Sequence, residues 1–324
     1  MGKLINGEWI TEDKLQAAED RAYQAAGGKF QREDAGFRHW VTGDGKAGPT
    51  GEGGFKAEAG RYHLIAAWNC PWAHRTLLYR NVKQLQDIVS LSFVLPLRND
   101  QGWAFDDDQP RFSDNLYHWS AVHQYYSKAA LDYTGSVTVP VLWDKQQQTI
   151  VSNESAEIIR MFNSAFNDIS VDTEDFYPSA RMAEIDELND FILKYLNNGV
   201  YMAGFARTQA AYDEAVVGVF DALDAIEDTL SQQRYLLGDS ITESDWRLLP
   251  TLFRFDVAYH SAFKCNLRAL RDYPHLSAYL KAFYQHPGVA ETVDLDIYRL
   301  GYHSKSELRN PLGIIPIGPE PDFI

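Results

Sequence analysis

The sequence predicts an α/β domain followed by an all-helical one, and three observations carry that reading. Residues 62–68 form an extended apolar run, 72–85 keep a helical pattern, and 88–95 are a continuous apolar run of strand type. Strand, helix and strand within about 35 residues make a βαβ unit. Beyond residue 180 the apolar positions recur at helical spacing, first Ile185, Leu188, Ile192 and Tyr195, then Val216, Val219, Leu223, Ile226 and Leu230. Thirdly, Cys70-Pro71 stands at the turn between the first strand and the first helix, a place where a core cysteine has no need of proline.

In chain order, residues 1–60 show no sustained periodicity. Gly27-Gly28 and the Gly/Thr-rich stretch 43–54 read as loop, so 1–60 is expected to be an extension packed on the first domain. That domain spans 61–164. After its βαβ unit comes a polar insertion, 98–115, with Trp103 and the run Asp106-Asp107-Asp108. Three adjacent carboxylates are usually a solvated loop, although a metal site is conceivable. Residues 115–128 read as a helix, 137–143 as a strand interrupted by Pro140, and 149–152 as a short partner strand. Ser152 or Asn153 is expected to cap a helix over 154–163, whose Ile158, Ile159 and Phe162 share a face. The order βαβ-α-ββα is that of a thioredoxin-like domain. A polar linker, 165–179, leads to the helical domain, 180–324. There Thr242 and Asp245 make the acidic variant of a capping box, opening a helix through Tyr259 with Trp246, Leu249 and Phe253 inward. Helix continues to about residue 285, and the Pro- and Gly-rich tail from Asn310 is irregular.

Proline at the first helical position fixes φ and gives up an N–H that would be unpaired there. The remaining first-turn N–H groups and the helix dipole favour thiolate at Cys70 and so predict a nucleophile. Position 73 is alanine, so no Cys-x-x-Cys dithiol exists. Cys70 must work alone, with a resolving thiol from another molecule, and glutathione is the usual candidate. Cys265 reads as structural.

Composition excludes other classes. The 324 residues carry a net charge of −15, which argues against nucleic acid and anionic membranes as partners. Two cysteines make no disulfide framework, the first six residues lack a signal-peptide core, and Asn6 stands where a myristoylation motif wants Ser or Thr. No run of eighteen apolar residues is present, so a cytoplasmic protein is expected. His118 and His123, five apart, make no zinc pair, and no metal is expected.

A glutathione site needs an extended backbone to pair with the peptide's cysteinyl unit. Val139 offers one if the Val139-Pro140 bond is cis; an edge strand broken by proline is the equal alternative. It also needs an anchor for the γ-glutamyl end, and Glu154-Ser155 at a helix start supplies a carboxylate, a hydroxyl and free N–H groups. Glutamate is common at helix starts for dipole reasons alone, so this pair gains weight only beside the other two sites.

These sites, followed by a helical domain with the Thr242–Asp245 box, resemble the glutathione transferases. The segments Asn69-Cys70-Pro71-Trp72-Ala73-His74-Arg75, Gly102-Trp103-Ala104-Phe105-Asp106-Asp107, 137–143, 151–161, 197–206 and 254–265 narrow the resemblance to glutathionyl-hydroquinone reductases, the Xi class. It covers nearly the whole chain. It implies Cys70 as nucleophile and Tyr201 as proton donor and acceptor, with Tyr259 and Tyr302 donating hydrogen bonds near Cys70. Trp103, Ser136, Val137, Val139, Pro140, Glu154 and Ser155 would form the glutathione-binding set, Trp103 by stacking. The family often has Arg where this chain has Ser136, so a charged contact to glutathione is absent or comes from a neighbouring Lys or Arg. A homodimer is also implied. A conjugating transferase or reductive dehalogenase is the alternative enzyme, and would need Ser or Tyr in place of Cys70. A non-catalytic interaction module of this fold is the alternative of another class, and an isolated thiolate-type Cys70 argues against it.

Overall fold

The computed structural model describes residues 2–324. The chain divides into two compact units, one running to Glu19 and from Glu33 to Glu174, the other comprising Asp20–Arg32 and Asp175–Ile324. The expected 1–60 extension is thus shared between them.

The first unit begins with a hairpin, β1 (Lys3–Ile5) and β2 (Glu8–Ile10), followed by helix α1 (Glu12–Ala25), which continues into the second unit. Asn6-Gly7 makes the turn with φ of 50° and 79°, the left-handed pair that Asn-Gly supplies at least steric cost. That dipeptide was the available signal for the hairpin. Periodicity could not reveal α1, because none of its residues is buried.

The main sheet follows from β3 (Tyr62–Ala66), α2 (Pro71–Val82) and β4 (Ser90–Phe93), with β3 and β4 parallel. β6 (Val141–Asp144) pairs antiparallel with β3, and β7 (Thr149–Ser152) with β6, giving the order β4-β3-β6-β7. Every residue of β3 is buried, as a sheet covered on both faces requires. α4 (Ser155–Ser164) packs on α2, and its Ile158, Ile159 and Phe162 are fully buried. This is the thioredoxin-like arrangement. A short strand β5 (Gly135–Ser136) joins β1, and Phe37 and His39 hydrogen-bond along the outer edge of β7, which covers it.

Two local expectations fail for identifiable reasons. The helix expected over 115–128 is confined to α3 (His123–Ala129). The buried Asp114 carboxylate accepts from the N–H groups of Leu116, Tyr117 and Trp119 and from the Tyr125 hydroxyl, so it closes a turn where helix would begin. α4 is capped by Glu154 rather than Ser152 or Asn153, its own carboxylate accepting from Ala156 N at 2.9 Å. Asn153 is committed elsewhere: its Oδ1 accepts from Phe37 N, and its Nδ2 donates to Tyr126 and Thr138.

The second unit is built from α5 (Met182–Ile192), α6 (Gly199–Gly204), α7 (Gln209–Leu230), α8 (Glu243–Arg254), α9 (His260–Ala262), α10 (Pro274–Tyr284) and α11 (Leu295–Tyr302). Val216, Val219, Leu223, Ile226 and Leu230 are all buried along α7, as their spacing predicts. The capping box closes: the fully buried Asp245 carboxylate accepts from Thr242 N and Oγ1 at 2.8 and 3.1 Å, from Leu236 N at 3.0 Å and from Tyr279 OH at 2.8 Å. Two π-helical turns, Leu193–Asn197 and Phe255–Tyr259, interrupt the regular helix just before Tyr201 and at Tyr259. α11 lies in a stretch that periodicity did not single out, and Asp294 caps it by accepting from Ile297 N at 3.0 Å. No helix among the described residues is long and apolar enough to cross a membrane.

Candidate active site

In the first unit Cys70 follows β3, Val139 and Pro140 precede β6, and Glu154 and Ser155 open α4. Cys70 holds the N-cap position of α2 in extended conformation (φ −84°, ψ 117°), with Pro71 opening the helix. Its carbonyl accepts from His74 N at 3.0 Å, which completes the first turn. The half-buried sulfur accepts no capping bond from first-turn amides; it lies 3.4 Å from Val139 O. The Val139-Pro140 bond is cis, so of the two readings the turn holds and the edge strand broken by proline does not. Residues 137–140 are accordingly outside β6.

Side chains the sequence reading did not single out hold that turn. Tyr126 OH donates to Thr138 O at 2.9 Å and accepts from Thr138 N at 3.2 Å, while Asn153 Nδ2 reaches both Tyr126 OH and Thr138 Oγ1. All are satisfied, and burial pushes the Tyr126 phenol up, so it stays a neutral donor. At the start of α4, Ser155 is buried and its hydroxyl accepts from Arg75 Nη1 at 3.5 Å. Arg75 is itself buried and stacks over Trp72 at 4.5 Å, so it ties the Cys70 helix to the helix of Glu154 and Ser155. Its place in the cysteine motif was visible, but not its burial.

Trp103 is half-buried, with the Arg98 guanidinium 5.6 Å over its ring. Ser136 sits in β5 opposite Lys3 of β1, and Ser136 Oγ and Lys3 Nζ both donate to the Glu33 carboxylate. Partial burial would raise that carboxyl, but the two donors hold it below its usual value. Lys3 is therefore the basic residue beside Ser136, a neighbour the pairing of β1 with β5 creates and sequence distance concealed.

The second unit brings the three tyrosines together. Tyr201 of α6 and Tyr302 of α11 join hydroxyls at 2.7 Å, and Tyr259 OH lies 3.3 Å from Tyr302 OH. Phe263 braces them, stacked on Tyr259 at 5.3 Å and edge-on to Tyr201 and Tyr302 at 5.1 and 5.5 Å. Burial pushes the Tyr259 and Tyr302 phenols well above the ordinary tyrosine range, so both are neutral near pH 7. Tyr302 keeps part of its surface exposed, but its phenolic end is deep. Tyr201, half-exposed with Arg32 5.5 Å over its ring, stands at one end of the chain of hydroxyls. A donor backed by two further donors transfers a proton with less penalty than a lone phenol.

The second cysteine differs. Cys265 is fully buried, and burial pushes its thiol up to about 12. At pH 7–8 it is therefore a thiol, and thiolate is the reacting form. Incubation with glutathione disulfide followed by peptide mass spectrometry is expected to place glutathione on Cys70 alone. Labelling of both cysteines at similar rates would contradict this. Among the described residues no group of three or more His, Cys, Asp and Glu is placed to hold a metal ion.

The glutathione S-transferase N-terminal domain profile matches residues 69–165, and the C-terminal domain profile matches 209–282. The chain is 50% identical to the glutathionyl-hydroquinone reductase YqjG of Escherichia coli, over 100% of its own length and 97% of that protein. The glutathione-bound structure of YqjG aligns with a TM-score of 0.89 at 48% identity, covering 99% of this chain and 97% of the other. The glutathionyl-hydroquinone reductase PcpF of Sphingobium chlorophenolicum is 41% identical over 98% of this chain and 96% of its own. A Xi-class glutathione transferase from Natrialba magadii superposes with a TM-score of 0.88 at 41% identity, covering 100% and 94% of the two chains. With both domain profiles matched and full-length relatives at this identity, the chain belongs to the glutathionyl-hydroquinone reductases, the Xi class of the glutathione transferases.

Proposed function

We propose that this protein reduces glutathionyl-hydroquinones to hydroquinones, with glutathione as co-substrate and Cys70 as nucleophile. The observation that carries the reading is a thiol, not a hydroxyl, at the start of α2 in a chain 50% identical throughout to a reductase of that name. Val139 pairs with the cysteinyl backbone of glutathione. The γ-glutamyl end meets the α4 N-terminus, where Glu154 and Ser155 stand, and Trp103 stacks on the peptide. Ser136, Val137 and Pro140 shape the same strip. The protein works as a homodimer in the cytoplasm.

Tyr201 delivers a proton to the ring carbon that bears sulfur, and the Cys70 thiolate attacks the glutathionyl sulfur. The carbon–sulfur bond breaks, its electron pair stays with the ring, and hydroquinone leaves. The two sulfurs are left oxidised as a Cys70–glutathione mixed disulfide. A second glutathione thiolate attacks that disulfide, restores the Cys70 thiolate and departs as glutathione disulfide; its thiol proton replaces the one Tyr201 gave up. Thiol–disulfide exchange of this kind needs no metal.

The test is release of hydroquinone from a glutathionyl-hydroquinone, followed by chromatography, in wild type and Tyr201→Phe. The variant is expected to lose about 10²–10⁴-fold in rate, the range of a removed general acid, with labelling of Cys70 unchanged. Wild-type protein that conjugates glutathione to an electrophilic carbon but releases no hydroquinone would overturn the proposal.

A further inference from the structure

Arg254 closes α8 directly before the π-helical turn that carries Tyr259, and its side chain is fully buried. An arginine is almost never placed there without a reason, because its charge cannot be neutralised by losing a proton. Its Nη1 donates to Pro250 O at 2.8 Å, and the guanidinium lies 3.9 Å over the ring of Tyr298. Tyr298 and Tyr302 are four apart on α11 and share a face, and the Arg254 charge acts on Tyr302, Tyr259 and Tyr201 as well as on Tyr298.

We propose that Arg254 is a positioning residue for the reaction, its buried cation stabilising the negative charge that the tyrosine hydroxyl chain acquires when Tyr201 gives up its proton. The inference rests on the reading of Tyr201 as the acid. A phenolate at the end of a chain of hydroxyls shares its charge along the chain, and a fixed cation beside that chain acts strongly where water is excluded. The Arg254 charge favours ionisation of Tyr259 and Tyr302 against the burial that opposes it. Other charged or titratable groups facing the cluster include Arg32 over Tyr201, Arg309 over the Phe205 ring that stacks on Tyr201, Tyr298 itself with Asp294 beside it, and His303, which is held by Ser261. Burial keeps His303 below its ordinary value, so it adds no charge at pH 7.

The experiment compares Arg254→Gln and Arg254→Lys with wild type in the full-length protein. Tyrosine ionisation is followed by absorbance as pH rises, without substrate, and kcat and KM are measured with substrate. Arg254→Gln is expected to delay ionisation of the cluster by about one pH unit and to lower kcat by about 10- to 100-fold, with KM and Cys70 labelling little changed. Arg254→Lys keeps the charge and should restore both readouts most of the way. A folded Gln variant with wild-type kcat and an unmoved titration overturns the proposal. If the Gln variant does not fold, the Lys variant decides: a wild-type-like titration with most of kcat retained supports the charge, and a delayed titration with kcat lost counts against it. Full activity of Tyr201→Phe would remove the assignment of the acid. The substrate-free titration would still report on Arg254, so the two failures are distinguishable.

Discussion

Replacing Cys70 with serine is expected to abolish hydroquinone release, lowering the rate by at least about 10³-fold, while glutathione still binds. The serine oxygen fits the N-cap of α2 and can keep the contact that Cys70 Sγ makes with Val139 O at 3.4 Å, so the backbone of the site should not move. What disappears is the chemistry. An alkoxide is inaccessible at neutral pH, and oxygen forms no counterpart of the mixed disulfide that stores the oxidised sulfur. The same variant should gain some conjugation of glutathione to chlorodinitrobenzene, because a hydroxyl donor now faces the glutathione sulfur in place of a competing thiol. Calorimetry should find glutathione affinity within a few-fold of wild type. Hydroquinone release at the wild-type rate by Cys70→Ser would sink the covalent scheme. The sulfur faces the Val139 carbonyl, an acceptor that suits the protonated thiol, while the helix end favours the thiolate. Bound substrate can tilt that balance by occupying the Val139 carbonyl.

What the sequence discloses and what it hides follow from the range of the forces involved. Cys70-Pro71 is legible because a helix start is a local event, set by φ and the first unpaired N–H groups. The spacing from Val216 to Leu230 is legible because one buried face imposes its own period. The start of α3 is not, since Asp114 closes a turn there with donors as distant as Tyr125. The cap of α4 is misassigned because Asn153, a good cap by type, is drawn away by Phe37, which is 116 residues distant. The tyrosine chain joins positions 201, 259 and 302, and no local pattern marks three of eighteen tyrosines as neighbours. Only resemblance to a family brings them together. Buried cations are the least legible, because Arg75 and Arg254 look in sequence like any surface arginine.

Asp245→Ala is expected to be the most damaging substitution outside the candidate site. The carboxylate lies fully buried and accepts from Thr242 N, Thr242 Oγ1, Leu236 N and Tyr279 OH, so it fixes the start of α8, the turn before it and α10. Alanine would leave two backbone donors and a phenol buried without partners, at about 1–3 kcal/mol each before relaxation. Partial hydration and movement of the turn lower the sum, and a loss of about 3–6 kcal/mol is expected, a large part of the marginal stability of a domain. Thermal unfolding should fall by roughly 8–15 °C, against about 2–4 °C for Thr242→Ala, which removes one capping hydroxyl. Asp245→Asn should lie between the two, since an amide accepts through one oxygen only and must turn its N–H groups toward a donor. The pH response separates charge from hydrogen bonding. Burial raises the Asp245 carboxyl in the folded state, although its donors oppose the rise. A folded value above the unfolded one means that the ionisation penalises folding: its contribution is most favourable below the unfolded value and declines as pH rises through the folded one. The gap in unfolding free energy between wild type and Asp245→Asn should therefore be widest at low pH and narrow as pH rises through the folded value. A gap independent of pH would assign the whole effect to hydrogen-bond geometry, and a melting temperature of Asp245→Ala within about 2 °C of wild type would show that the box does not organise the helical domain.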